Sequence, residues 1–544
     1  MNSFLLYKDR EWGTGVGYLD TTSIIQDLGL KTVFSAAGKE VIWEQEQVKK
    51  IESEDDYLVD TMRKVMMVPL EKKEEIIYRQ EIIMDCVRNK EYVYCLYEQI
   101  TSLVEQWNKL GRKNKDKGNG SNPAAGLIRD IQLMTLFVTG LTDLKELTKQ
   151  YEASFCSEGL KSFYKRLTEE FSDERETQMH QILKDISFYT QYNEEKNQNK
   201  AMVGIPEIVL ECGIGDGLKF SDLKLESVST IMKKYRNPNG AITKLQDYVN
   251  QFTPGSIALQ KDAELKSLSG ELEFQVIRYV VTSCNEFVNR FLTFFDQLHL
   301  QIAFYRGILN LNEHMQRCGL EWCMPTVSDE KELSFIELKE LVMSMEQRVQ
   351  TVGNSCKIVD KQLLVVTGAN QGGKSTFLRS IGIAQVMMQC GMPVAAESFS
   401  SGIYPGFFTH FTRREDSAMN SGRLDDELRR MNQIIENVGE GTLILLNESF
   451  ATTTEKEGSV IAYEIIRALI ENGVKVLTVT HLLSFAQRVF EENDGKEDSK
   501  VEFLSAQRLE DGKRTFKMIQ HAPELTSFGL DLYDEIVGKF QKLL

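Results

Sequence analysis

Two short stretches carry residue types whose spacing could do chemistry on a phosphate. Residues 368–376 read GANQGGKST and satisfy G-x-x-x-x-G-K-[ST], with Gly368, Gly373, Lys374 and Ser375 at the fixed positions. Glycines let successive backbone N–H groups point into one concavity, and Asn370, Gly372 and Thr376 complete the expected binding loop. A helix starting there presents its positive end to the same anion. Lys374 can then reach the β and γ phosphates of a nucleotide, and the Ser375 hydroxyl can ligate Mg²⁺. Downstream, residues 443–454 read LILLNESFATTT, an apolar run that delivers Glu448 to the end of a strand. Glu448 is expected to be the base that polarises the attacking water. Asn447 stands where an aspartate usually helps to hold the magnesium through water. It keeps an oxygen acceptor without the charge, so weaker metal binding is expected.

Two more positions extend this set. VKVLTVTH ends in His481, expected to contact the γ-phosphate because it follows two other phosphate-site strands in order. NSGRLDDELRRMNQII places Ser421 and Gly422 at the opening of a charged amphipathic helix, a second candidate anion site.

These residues need a parallel sheet to position them. From about Ser334 short apolar strands, QLLVVTG, TLILLNE and VKVLTVTH, alternate with helical segments. Residues 1 to about 330 have a different character, with apolar residues at helical spacing on either side of Pro69, again from Ala125 to Tyr192, and again over 271–315. Residues 207–225 interrupt that rhythm with short β-type runs and glycines, the pattern of a small hairpin or a loop module. The expected fold is therefore multidomain, α plus α/β, with a helical domain over 1–330 and an α/β domain over 331–544.

Composition narrows the class. At 544 residues the chain exceeds one ordinary core. Hydrophobic content of 42% with 26% charged residues describes a folded globular protein. No apolar run approaches the ~20 residues that span a bilayer, and the N-terminus lacks the basic and apolar regions of an export signal. Nine scattered cysteines form no zinc pattern, so reduced thiols and a cytoplasmic location are expected. The net charge of −16 argues against a protein coated in nucleic acid. Any contact with DNA is left to local patches, the best being Lys109, Arg112, Lys113, Lys115 and Lys117.

The α/β half resembles the MutS family of DNA mismatch-repair ATPases, whose ATPase domain has an ABC-type fold. The resemblance rests on VTGANQGGKSTFLRSI, GMPVAA (391–396), NESFATTTEKEG, TVTHLLSFA and TSFGLDLYDEIVG. Upstream, RKVMMVPLEKKEEIIYRQEII resembles the family's core domain, and FFDQLHLQIAFYRG its returning lever helices. It implies slow Mg²⁺-dependent ATP hydrolysis at composite sites of a homodimer, with Ser421 and Gly422 serving the opposite subunit. Engagement of duplex, mismatched or branched DNA and of repair partner proteins is implied too. The chain is expected to lack the N-terminal mismatch-reading domains, since its F-x-E strings at 335 and 490 fall at or inside the ATPase half. Only a short clamp-like insertion is expected near 201–260, with little room for C-terminal dimerisation helices or a nuclease domain. Branched or distorted DNA in recombination is favoured over mismatches. The competing reading is a nucleotide-gated scaffold with vestigial hydrolysis acting on proteins.

Overall fold

The computed structural model describes residues 4–10, 13, 15–44, 47–112, 123–187, 202–214, 220–234, 263–328, 332–412, 422–496, 498–509 and 513–523. They form two compact units, each discontinuous in sequence. One draws on residues 95–153 and 162–299, the other on 4–94, 154–161 and the chain from 300 onward. The helical residues 4–94 belong to the unit that holds the sheet.

That unit begins with α1 (Thr21–Leu28) and α2 (Leu30–Ala37), then a two-stranded ribbon of β1 (Val41–Glu44) and β2 (Gln47–Ile51). Helix α3 (Asp56–Met66) starts where the Asp55 carboxylate accepts from the amides of Tyr57 and Leu58. Its buried residues Leu58, Thr61, Met62 and Val65 recur at the helical period. The chain breaks at Pro69, as expected from sequence, and resumes in α4 (Lys73–Arg88), where Arg79 is fully buried. Its Nε and Nη2 donate to the carbonyl of Leu6 at 3.2 and 2.9 Å, and its Nη1 to that of Cys390 at 3.1 Å. Asp85, also on α4, accepts from the amides of Cys156 and Ser157 at 2.8 and 2.6 Å.

The other unit is built from α5 (Lys90–Arg112, which enters it at residue 95), α6 (Pro123–Tyr151), α7 (Glu158–Glu170, which enters it at residue 162), α8 (Asp173–Ser187), a hairpin of β3 (Met202–Ile214) and β4 (Phe220–Lys234), and α9 (Ala263–Arg317), which leaves it after residue 299. The hairpin falls where glycines and β-type runs interrupt the helical pattern, its strands antiparallel. Helices α5 and α6 approach closely at Gly140, where an added Cβ would lie 2.1 Å from Leu103 Cδ1. Phe137 stacks on Phe295 at 5.6 Å between centroids.

The sheet unit continues through β5 (Thr326–Val327), β6 (Leu333–Leu338), α10 (Leu341–Gln347), β7 (Asn354–Ile358) and β8 (Leu363–Thr367). It then runs through α11 (Lys374–Gln389), β9 (Ser398–Ser401), β10 (Phe407–Phe411), α12 (Arg423–Ile435), β11 (Leu443–Asn447), α13 (Glu455–Glu471), β12 (Lys475–Val479), α14 (Leu483–Asn493), β13 (Val501–Arg508) and β14 (Arg514–Gln520). The large sheet has the order β10-β11-β12-β8-β13-β14, parallel except for its last pair. All five residues of β8 and of β12 are buried, which is why these strands read as continuous apolar runs. Each of their Leu and Val side chains contributes about 1.5–3 kcal/mol on burial. One face, with Val365, Ile444 and Leu446, packs against Ile466 of α13 and Phe485 of α14. On the other, Gly382 of α11 lets Leu445 and Leu28 approach so closely that an added Cβ would sit 2.6 and 2.7 Å from them. A smaller sheet, β5-β9-β6-β7, completes the unit.

Candidate functional site

The loop between β8 and α11 has a backbone few sequences allow. Gly368 and Gly373 hold φ of 107° and 89°, and Gln371 between them holds 60°. An added Cβ at Gly368 would meet the Ala506 amide nitrogen at 2.9 Å, and one at Gly372 the carbonyl of Ala369 at 2.9 Å. Gly373 caps the N-terminus of α11 with no side chain, leaving the first-turn amides of a 16-residue helix facing the loop. Lys374 is buried and donates to the carbonyls of Gly368 and Ala369, both at 2.9 Å.

Parallel pairing of β11 with β12 sets Asn447 beside Val479, so the residues just past both strands meet. Glu448 Oε1 lies 3.0 Å from His481 Nε2. An ionised carboxylate only accepts, so Nε2 carries the proton in this contact. That bond, ahead of the opposing burial, holds the Glu448 carboxyl below its ordinary range. Glu448 itself has φ of 56°, a left-handed backbone that costs a non-glycine residue about 1–3 kcal/mol and clusters at working sites. Among the described residues the buried Asn447 Oδ1 has no hydrogen-bond partner.

A cavity of about 430 Å³ brings these parts together. Asn370, Gly372, Gly373, Lys374, Ser375, Thr376, Glu448 and His481 line it, while Gly368 contributes through its bond to Lys374. Gly422 caps α12 and is exposed, with no atom of the described residues within 4 Å of where a Cβ would stand; it does not line the cavity. Ser421, Lys113, Lys115, Lys117, most of 201–260 outside the hairpin, and the segment TSFGLDLYDEIVG lie outside the described residues. Lys109 is paired with Glu105 at 3.4 Å.

Sequence reasoning missed the far wall of the cavity. Met343 reaches it from α10, Val349 and Val352 from the loop that follows, Asn354 from β7 and Phe516 from β14. Glu340, also in the lining, is buried, which pushes its carboxyl up from the ordinary value. Arg514 donates to Gln371 Oε1 in the loop at 3.0 Å. No motif marks these positions, which reach the loop only through long-range packing of the fold. Among the described residues no cluster of three or more His, Cys, Asp or Glu could hold a metal, and no helix is long and apolar enough to cross a membrane.

Fold and site together define a protein with a buried parallel sheet, a glycine loop at a helix N-terminus and an acidic residue at a neighbouring strand end. Family profiles say which such protein: the MutS2 N-terminal domain matches residues 71–318 and MutS domain V matches 364–537. The chain belongs to the MutS family. It is 22% identical to the DNA mismatch repair protein MSH3 of Debaryomyces hansenii over 274 residues, 47% of this chain and 26% of that protein. It is 26% identical to the Endonuclease MutS2 of Streptococcus sanguinis over 42% of this chain and 29% of that protein. The DNA mismatch repair protein MutS of a Thermotoga strain is 34% identical over 128 residues, 24% of this chain and 16% of that protein. The chain therefore aligns with less than a third of each of these relatives.

Proposed function

We propose that this chain binds ATP with Mg²⁺ in the loop cavity, hydrolyses it slowly, and uses the cycle to control engagement of DNA. The observation that carries the reading is the Glu448–His481 contact at 3.0 Å inside a cavity that Lys374 and Ser375 also line. The loop amides and the α11 terminus bind the phosphates, and Lys374 exchanges its two carbonyl partners for phosphate oxygens. Glu448 stays ionised and takes the proton of an attacking water, while His481 fixes the carboxylate's orientation. Mg²⁺, when bound, supplies positive charge against the phosphates; the Ser375 hydroxyl and, through water, the unpartnered Oδ1 of Asn447 suit it. The α/β half is then an ABC-type P-loop ATPase domain and the long helices its levers.

Gly422, exposed and outside its own chain's cavity, fits a composite site in which each ATP is completed by the second copy of a homodimer. The relatives' names support DNA as the target, branched or distorted structures being favoured over mismatches. Glu448→Ala is expected to retain ATP and abolish turnover in a phosphate-release assay. Unchanged turnover would remove the assigned base. DNA binding with and without ATP and Mg²⁺, at fixed salt, to perfect, mismatched and four-way-junction DNA tests the rest. No binding to any of them would favour a nucleotide-gated scaffold.

A further inference from the structure

We propose that His410 is a positioning residue for the Glu448 carboxylate, acting through Ser449 to hold the turn that aims the base into the loop cavity. The inference rests on the hydrolysis proposed above. His410 is the fourth residue of β10, is fully buried, and pairs across the parallel ladder with Leu446 of β11. Its Nδ1 lies 2.7 Å from Ser449 Oγ, and its Nε2 lies 3.2 Å from the carbonyl of Glu427 on α12. A carbonyl only accepts, so Nε2 carries a proton in that contact. The Ser449 hydroxyl also lies 3.0 Å from the His410 carbonyl, so one residue of β10 grips it by ring and backbone together. None of His410, Ser449 and Glu427 lines the loop cavity.

Ser449 needs that grip because of its neighbours. Glu448 and Phe450, on either side of it, hold φ of 56° and 66°. Two left-handed residues that both carry a Cβ are strained, and they persist only where the surroundings impose the conformation. Three contacts impose it here. Thr412 Oγ1 donates to the Glu448 carbonyl at 2.7 Å, His410 holds Ser449, and Glu427 Oε2 accepts from Thr452 Oγ1 at 2.7 Å. The His410 ring also stacks on that of Phe450, at 5.9 Å between centroids and 26° between planes. Were Glu448 to relax into the right-handed region, its φ would change by roughly 120°. Its Cβ would swing with that rotation and carry the carboxylate off His481, where it now lies 3.0 Å from Nε2. Packing by itself does not call for an imidazole at this place, because a phenylalanine would fill it and keep the ring stack. The two polar contacts do.

The test is steady-state phosphate release by the full chain, with ATP affinity measured separately by calorimetry in the presence of Mg²⁺. His410→Phe is expected to lower kcat by about tenfold or more, since a small misplacement of a reacting group is costly. ATP affinity should stay within about twofold, a split that general loss of structure does not produce. Ser449→Ala should lower kcat by about fivefold or more, and it carries the test should His410→Phe not fold. Both substitutions break one contact, so the double variant should be within about twofold of His410→Phe alone. A kcat close to the parent's in both variants would overturn the proposal. So would losses that multiply in the double variant, or a fall in ATP affinity that matches the fall in turnover. A parent that binds ATP without turning it over would overturn the hydrolysis reading and this proposal together. A parent that turns over beside unaffected variants overturns this proposal alone.

Discussion

Replacing Arg79 by methionine sets two physical effects against each other with a calculable winner. The guanidinium is fully buried, has no carboxylate partner among the described residues, and lies 5.2 and 5.5 Å from the rings of Tyr7 and Phe304. Methionine keeps most of the stem and relieves the burial of an unpaired cation, a change that elsewhere is neutral or stabilising by about 1–4 kcal/mol. It also strands the carbonyls of Leu6 and Cys390, which lose three donated hydrogen bonds. Those residues are 1% and 0% exposed, so water does not replace the donors. Two stranded acceptors cost about 1–3 kcal/mol each, and two lost ring contacts about 0.5–2 kcal/mol each. The carbonyls should win, with a net loss of about 3 kcal/mol. Urea unfolding followed by far-UV circular dichroism, with unchanged slope, reads this as a lower midpoint. Arg79→Lys should fall between, because a single ammonium does not span two carbonyls as a planar fork does. A midpoint for Arg79→Met equal to or above that of the parent would refute the reasoning and mean that relief of the buried charge dominates.

Two further outcomes follow from named contacts. Glu448 has a depressed folded pKa, so its ionised form, and any stability it brings, is present above the ordinary carboxylate pKa and lost as pH falls through the folded value. The acid limb of ATP turnover should therefore lie below the ordinary glutamate range and move to higher pH in His481→Ala; an unmoved limb would separate the two residues. Asp85→Ala should cost about 3–5 kcal/mol by leaving the amides of Cys156 and Ser157 without their acceptor. Faster amide exchange over residues 154–161 should accompany that loss.

Much of the site was legible because its signals are local. The spacing from Gly368 to Ser375 fixes a loop whose positive φ values only a glycine-rich run tolerates, and LILLN carries its own strand signal up to Glu448. Pro69 marks a helix break, and glycines at 204, 213, 215 and 217 mark an interruption that proved to contain the hairpin. What the sequence does not carry is which distant strand ends become neighbours. Glu448 and His481 are 33 residues apart and meet only because β11 and β12 pair in parallel with Asn447 beside Val479. Phe516 of β14 and Val352 of the loop before β7 also enter the cavity from distant parts of the chain that no motif marks. The helical first ninety-odd residues share a unit with the sheet because Arg79 and Leu28 are buried against α11 and its C-terminal cap, a long-range packing choice to which helical periodicity is blind. Local backbone chemistry is written in neighbouring residues; the joining of remote elements depends on which apolar faces fit together, and only the folded chain decides that.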